Sequence, residues 1–134
     1  MGTTLFPWGV TNMTPKELWI QALRSGEYEQ GIDYLNYRGK LCCLGVACEV
    51  FIKQGGTLSR STNENGVIEY HGLPTSMRTS LELPTAVQAW LNLNTPLGDF
   101  PEDFPGESLA ALNDDGRTFE DIANVIETTP ELFA

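Results

Sequence analysis

The sequence predicts a small α+β domain of about four helices with a short β-hairpin or three-stranded sheet between the first two. Three observations predict it. "MTPKELWIQALRSG" at 13–26 carries a complete set of helix start and stop signals. "IDYLNYRGKLCC" at 32–43 alternates around a Gly-containing turn. "RTFEDIANVIE" at 117–127 repeats apolar residues at helical spacing. The chain has 134 residues and is 41 % apolar, so one domain spanning 1–134 is expected. A chain of this length buries roughly two-thirds of its unfolded surface and needs no disulfide or metal to hold its core.

Residues 1–12 read as an N-terminal arm in which Leu5, Phe6, Trp8 and Val10 seek cover. The first helix follows. Thr14 stands at the N-cap, Pro15 at the first helical position and Glu17 three residues after the cap, which together make a capping box. Met13 and Leu18 are spaced as a hydrophobic staple. Leu18, Trp19, Ala22 and Leu23 share a face, and Gly26 ends the helix. Arg38-Gly39 predicts a tight turn between two short strands. A second helix is expected over about 43–54, closed by Gly55-Gly56. Gly45 inside it costs about 1 kcal/mol relative to Ala, which points to close packing on another backbone.

Residues 57–72 are polar and rich in turn formers. Asn65-Gly66 beside Val67, Ile68 and Tyr70 predicts a short strand or hairpin. A third helix begins at Pro84, with Val87, Trp90 and Leu91 on one face. Residues 94–107 form a Pro-rich acidic loop that Leu97, Phe100 and Phe104 pin down by contact. A short helical turn then leads to a loop at Asn113-Asp114-Asp115-Gly116. Thr118 caps the last helix, whose face is Phe119, Ile122, Val125 and Ile126.

Charge narrows the partners. Net charge is −10. Residues 1–81 balance seven basic against seven acidic side chains, whereas 82–134 carry eleven acidic residues and only Arg117. Generic nucleic-acid binding needs a positive face and is not expected. No apolar run approaches the ~20 residues of a membrane span. The start, "MGTTLFPWGV", has neither the basic residues nor the apolar run of a secretory signal. Three cysteines, two of them adjacent, suit reduced thiols in a cytoplasmic compartment.

Those cysteines, in "KLCCLGVACEV" at 40–50, are the most chemical-looking stretch. With His71 they make up a zinc inventory, but adjacent Cys42 and Cys43 are no knuckle. On a helix Cys43 and Cys48 point about 140° apart at 100° per residue. No metal and no cofactor is implied. Phosphate-loop and EF-hand spacings are absent. Cys43 near a helix start, with His71 as base, is a weaker alternative: a Cys–His hydrolase oriented by Asn113 or Asp114. The apolar setting of the thiols favours inert core residues.

Binding fits the residues better. "RSGEYEQG" at 24–31 packs a guanidinium, an aromatic ring and an amide into eight positions. Arg24, Ser25, Tyr28 and Gln30, with Arg38 and Lys40 on the hairpin turn and Asn113 and Asp114 further on, make a set suited to a small anionic or nucleotide-like ligand. The plain structural reading of the same residues is a helix C-cap and an Asx-rich turn.

The blocks "WIQALRSGEYEQG" (19–31), "LCCLGVACEV" (41–50), "LPTAVQAWLNL" (83–93) and "LNDDGRTFEDIANVIE" (112–127) resemble a family of small bacteriophage and prophage proteins. That family runs W-I-x-A-L-R-S-G-x-Y-x-Q-G, then C-C-L-G-V-x-C-[ED], then L-N-D-x-G-x-[ST]-F. The likeness covers most of 13–128. Residues 1–12 extend the usual start, Ala47 replaces a larger apolar residue, and 94–107 looks inserted. The resemblance implies a phage-borne protein acting in the host cytoplasm, and by analogy of setting a counter-defence role; it hands over no reaction, and the first reading is a binding protein that sequesters its ligand without catalysis. A second reading is an acidic inhibitor that meets a basic host protein through 94–107. Homo-oligomerisation is compatible with either reading.

Overall fold

The computed structural model describes residues 13–72, 78–102 and 107–134. Among these residues there are five α-helices: α1 (Pro15–Arg24), α2 (Cys43–Lys53), α3 (Thr85–Leu91), α4 (Leu109–Asp114) and α5 (Phe119–Thr128). A 3-10 turn at Pro130–Leu132 follows α5. Six short strands form two sheets. In the first, β1 (Glu29–Gln30) runs parallel to β3 (Lys40–Leu41), and β2 (Asn36–Tyr37) pairs with the other edge of β3 antiparallel. The second is an antiparallel meander of β4 (Ser59–Thr62), β5 (Ile68–His71) and β6 (Arg78–Thr79). A bridge from Tyr37 to Val67 links the two sheets. The α+β class holds: the helical turn expected before Asn113 is α4, and the strand or hairpin expected around Asn65-Gly66 is the β4–β5 pair of a second small sheet.

The capping signals act as read. Thr14 Oγ1 accepts the Glu17 N–H at 3.2 Å, and Glu17 Oε1 accepts the Thr14 N–H at 2.8 Å. Thr118 and Asp121 repeat the box at the start of α5. α1 buries Trp19, Ile20 and Leu23, and its most extensive packing is against α5, which buries Phe119, Ile122, Ala123 and Ile126.

α2 is the core helix: all residues from Cys43 to Cys48 are buried, and so is Val50. Gly45 makes that position possible, because a Cβ built there would overlap the backbone carbonyl of Leu35. Trp19 is fully buried, and its indole N–H donates to the Cys43 carbonyl at 2.9 Å, so the ring leaves no polar atom unpaired. The strands β2 and β3 are joined by Arg38 at φ 54° and Gly39 at φ 89°, the two positive values of a type I′ hairpin turn. Gly39 N–H donates to Asn36 Oδ1 at 2.9 Å.

Two segments differ from expectation. Asn113 and Asp114 belong to α4 rather than to a loop. Ser108 Oγ caps that helix by accepting from Ala111 N–H at 3.0 Å, and buried Leu109 anchors it, so tertiary contact outweighs the weak helix preference of Asn and Asp. The Pro-rich stretch is tied down by backbone bonds: Leu83 N–H to Pro96 O, Phe100 N–H to Glu107 O and Leu109 N–H to Gly98 O. Leu97 and Phe100 are half-buried against the core as expected, whereas Phe104 and the arm 1–12 lie outside the described residues. No described helix is long and apolar enough to cross a membrane.

Candidate functional site

The residues that the sequence groups as a ligand set lie in four places. Arg24 ends α1 facing α5. Its Nε pairs with Glu120 Oε2 at 3.0 Å; its Nη2 reaches Asn124 Oδ1 at 2.6 Å and Glu127 Oε1 at 3.1 Å. Positions 120, 124 and 127 share one face of α5, as residues three and four apart do. The hydrogen bond that Arg24 donates to Glu127 is the largest influence holding the Arg24 pKa above its ordinary value. The guanidinium is therefore occupied by its own chain. Ser25 closes the helix: its hydroxyl donates to Ala22 O at 2.7 Å and accepts from Glu27 N–H at 3.1 Å.

Gln30, Asn113 and Asp114 meet at the second place, where they fasten the fold. Asn113 is fully buried. Its Oδ1 accepts from Cys43 N–H at 3.1 Å and from Gln30 Nε2 at 2.9 Å, and its Nδ2 donates to Gly31 O at 2.8 Å. Gln30 Nε2 also donates to Arg117 O at 2.7 Å. The Cys42 N-cap supplies no side-chain bond, so Asn113 does that work for α2 from another helix. Asp114 Oδ1 accepts from Asp33 N–H at 2.9 Å, which supports Asp33 at φ 71°. These polar atoms are already partnered by the protein. The third place is the hairpin turn, where the Arg38 guanidinium lies 5.3 Å from the Tyr37 ring and exposed Lys40 pairs with Glu29 at 3.6 Å.

Tyr28, with Ser25, lines a cleft that also holds the cation Lys53. The cleft encloses about 300 Å³ between the C-terminal ends of α1 and α2, and is lined by Gln21, Ser25, Glu27, Tyr28, Lys53 and Gln54. Burial raises the Tyr28 pKa, so the phenol stays neutral. Lys53 Nζ touches Glu27 Oε2 at 3.3 Å, with both side chains mostly exposed (63 % and 59 %). Such a pair is worth about 0–1 kcal/mol and gives way readily to another anion. Gln21, Lys53 and Gln54 escaped the sequence reading. Lys53 is 26 positions from Glu27, and no periodicity connects them.

The thiols are core. Cys43 is fully buried, its Sγ lies 3.6 Å from Leu109 O, and burial drives its pKa well above the ordinary value. Burial pushes Cys42 up to about 11 and also raises Cys48. Cys43 is thus a protonated thiol, the opposite of what a nucleophile requires. His71 sits in β5, paired with Ser59 and Arg78, and no hydrogen bond joins it to Cys43 among the described residues. Nearby, Tyr70 donates to Glu49 Oε2 at 2.7 Å and accepts from Asn36 Nδ2 at 3.2 Å, while Arg60 holds Glu49 Oε1 at 2.9 Å. This chain of bonds ties both sheets to α2. Among the described residues no three His, Cys, Asp or Glu side chains are grouped to hold a metal ion.

No curated protein and no solved structure gives a significant match to the chain. A family model described as a domain of unknown function, DUF8296, matches residues 11–130, from just before α1 to the 3-10 turn after α5. The protein therefore belongs to the DUF8296 family.

Proposed function

We propose that the domain is a phage-type binding protein of the host cytoplasm that sequesters a small anionic, nucleotide-like ligand without catalysis, in a counter-defence role. The observation that carries this reading is the cleft at the ends of α1 and α2, where Tyr28, Lys53, Gln21 and Gln54 surround about 300 Å³. That volume is at the small end of ligand sites. Tyr28 offers a ring for stacking. Lys53 offers a phosphate partner once Glu27 releases it. Gln21 and Gln54 offer paired donors and acceptors for the edge of a base. The buried, protonated thiols supply no reactive group beside the cleft.

The test is retention. The purified protein is incubated with a panel of mono-, di- and cyclic nucleotides, desalted, heated, and the released material analysed by mass spectrometry. Release of an intact nucleotide, reduced by Lys53→Gln, supports sequestration. Release of an altered nucleotide makes the protein an enzyme, and retention of none removes the reading.

A further inference from the structure

A second cleft opens on the opposite side of the Gln21–Ser25 ridge, between α1 and α5. It encloses about 530 Å³, and its lining includes Glu17, Ile20, Gln21, Arg24, Ser25 and Glu127. Its character differs from that of the Tyr28 cleft. Arg24 is the single cation of the lining, and Glu120 and Glu127 already neutralise it. Glu17 adds a third carboxylate, which its backbone bond from Thr14 keeps ionised by lowering its pKa. Three carboxylates against one guanidinium leave the cleft and its rim negative. Each carboxylate commits one oxygen to a hydrogen bond within the protein: Oε1 of Glu17, Oε2 of Glu120 and Oε1 of Glu127. The other oxygen of Glu120 and of Glu127 has no protein donor among the described residues, whereas the Glu17 carboxylate also receives the Thr14 side chain. Below them lies Ile20, with Met13 at one end.

We infer that this cleft docks a peptide segment presenting a lysine or arginine beside an aliphatic side chain. Charge complementarity selects the cation and rejects an anion. The free carboxylate oxygens match the several donors of a guanidinium or ammonium group. Ile20 and Met13 give the methylene stem and the neighbouring aliphatic group an apolar bed, as amphipathic cationic side chains require. The site is distinct from the Tyr28 cleft, and it draws on α5 rather than on α2.

The probe is a fluorescein-labelled peptide, Gly-Leu-Arg-Leu-Lys-Gly, titrated into the 134-residue protein at low and high salt, with Gly-Leu-Glu-Leu-Glu-Gly as its acidic counterpart. Binding is read by anisotropy and by backbone amide shifts of Ile20, Gln21 and Ser25. The expected result is salt-sensitive binding of the basic peptide only, with shifts at those amides. Glu17→Gln combined with Glu127→Gln should weaken it about ten-fold or more. Gln is also accepted at the capping-box position, and Glu127→Gln leaves Arg24 its bonds to Glu120 and Asn124, so the variant keeps its fold; an unchanged thermal melt checks this. Four outcomes overturn the inference: no binding of the basic peptide, equal binding of the acidic one, binding indifferent to the double substitution, or amide shifts that depend on protein concentration without peptide. The last would give the cleft to a second copy of the chain.

Discussion

Asn113 Oδ1 accepts the backbone N–H of Cys43 at 3.1 Å, so a side chain from α4 caps the first turn of α2 across 70 positions of sequence. The same side chain serves Gln30 and Gly31. Removing it strands the buried N–H of Cys43 and the partly buried carbonyl of Gly31, while Gln30 keeps its bond to Arg117 O. Asn113→Ala is expected to cost about 2–4 kcal/mol, at about 1–3 kcal/mol for each buried group left unpaired. Asp114→Asn, which keeps an acceptor for Asp33 N–H, should stay within about 0.5 kcal/mol. Urea unfolding followed by circular dichroism separates the two.

Gly45 and Gly116 test two different reasons for glycine. At Gly45 an added methyl meets the Leu35 carbonyl and lies 3.0 Å from a Leu41 methyl. Gly45→Ala should destabilise by about 3 kcal/mol, the upper range for overpacking. At Gly116 nothing lies within 4 Å of an added Cβ, but φ is +95°. Gly116→Ala should cost about 1–2 kcal/mol from the backbone alone. Chemical denaturation of both variants in one buffer checks the order.

The thiols should behave as interior groups. Cys42, Cys43 and Cys48 are buried and shifted upward, Cys42 to about 11. Iodoacetamide at neutral pH should label none of the three faster than the protein unfolds, and denaturant should expose all of them together. Rapid labelling of Cys43 in the native state would revive a hydrolase. Mass spectrometry of timed samples gives the answer.

Alkaline stability should depend on Tyr70. Burial, and then its hydrogen bond to Glu49, hold the phenol well above the ordinary 10.0. A raised native pKa contributes stability that is complete below the unfolded value and is lost as pH climbs past it. Stability should therefore fall above about pH 10, where the unfolded chain ionises and the folded one does not. Tyr70→Phe should shrink that loss at a cost of about 1 kcal/mol near neutrality, where its bonds to Glu49 and Asn36 disappear. Urea midpoints on either side of pH 10 show both effects. Burial also shifts Tyr28 upward, so part of the loss persists.

Local chemistry was legible in the sequence. Thr14 with Glu17, Arg38 with Gly39, and the Phe119–Ile126 stripe act over three or four positions, where caps, turns and periodicity speak directly. Gly45 announced close packing, although its partner, Leu35, was not named by any pattern. The candidate site was legible only in part. Arg24, Gln30 and Asn113 carry the residue types of a ligand set, yet their hydrogen bonds run to Glu127, Arg117 and Cys43, 70–103 positions away. A guanidinium at a helix end looks the same in sequence whether it awaits a phosphate or is held by a glutamate on another helix. Lys53 and Gln54 were passed over for the converse reason: their value lies in standing across from Tyr28, which only the packing of α2 on α1 creates.

The reach of Asn113 also sets an order of events during synthesis. α1 finds its main partner in α5, and the start of α2 waits for a cap from α4. The first half of the chain therefore leaves the ribosome with its principal helix–helix surface uncovered and the buried N–H of Cys43 unserved. Loop closure over such separations precedes most of the reward. The core is complete only with α5 and buried Leu132 in place, and a product truncated before α4 would expose the apolar α2 segment as a target for chaperones and proteases.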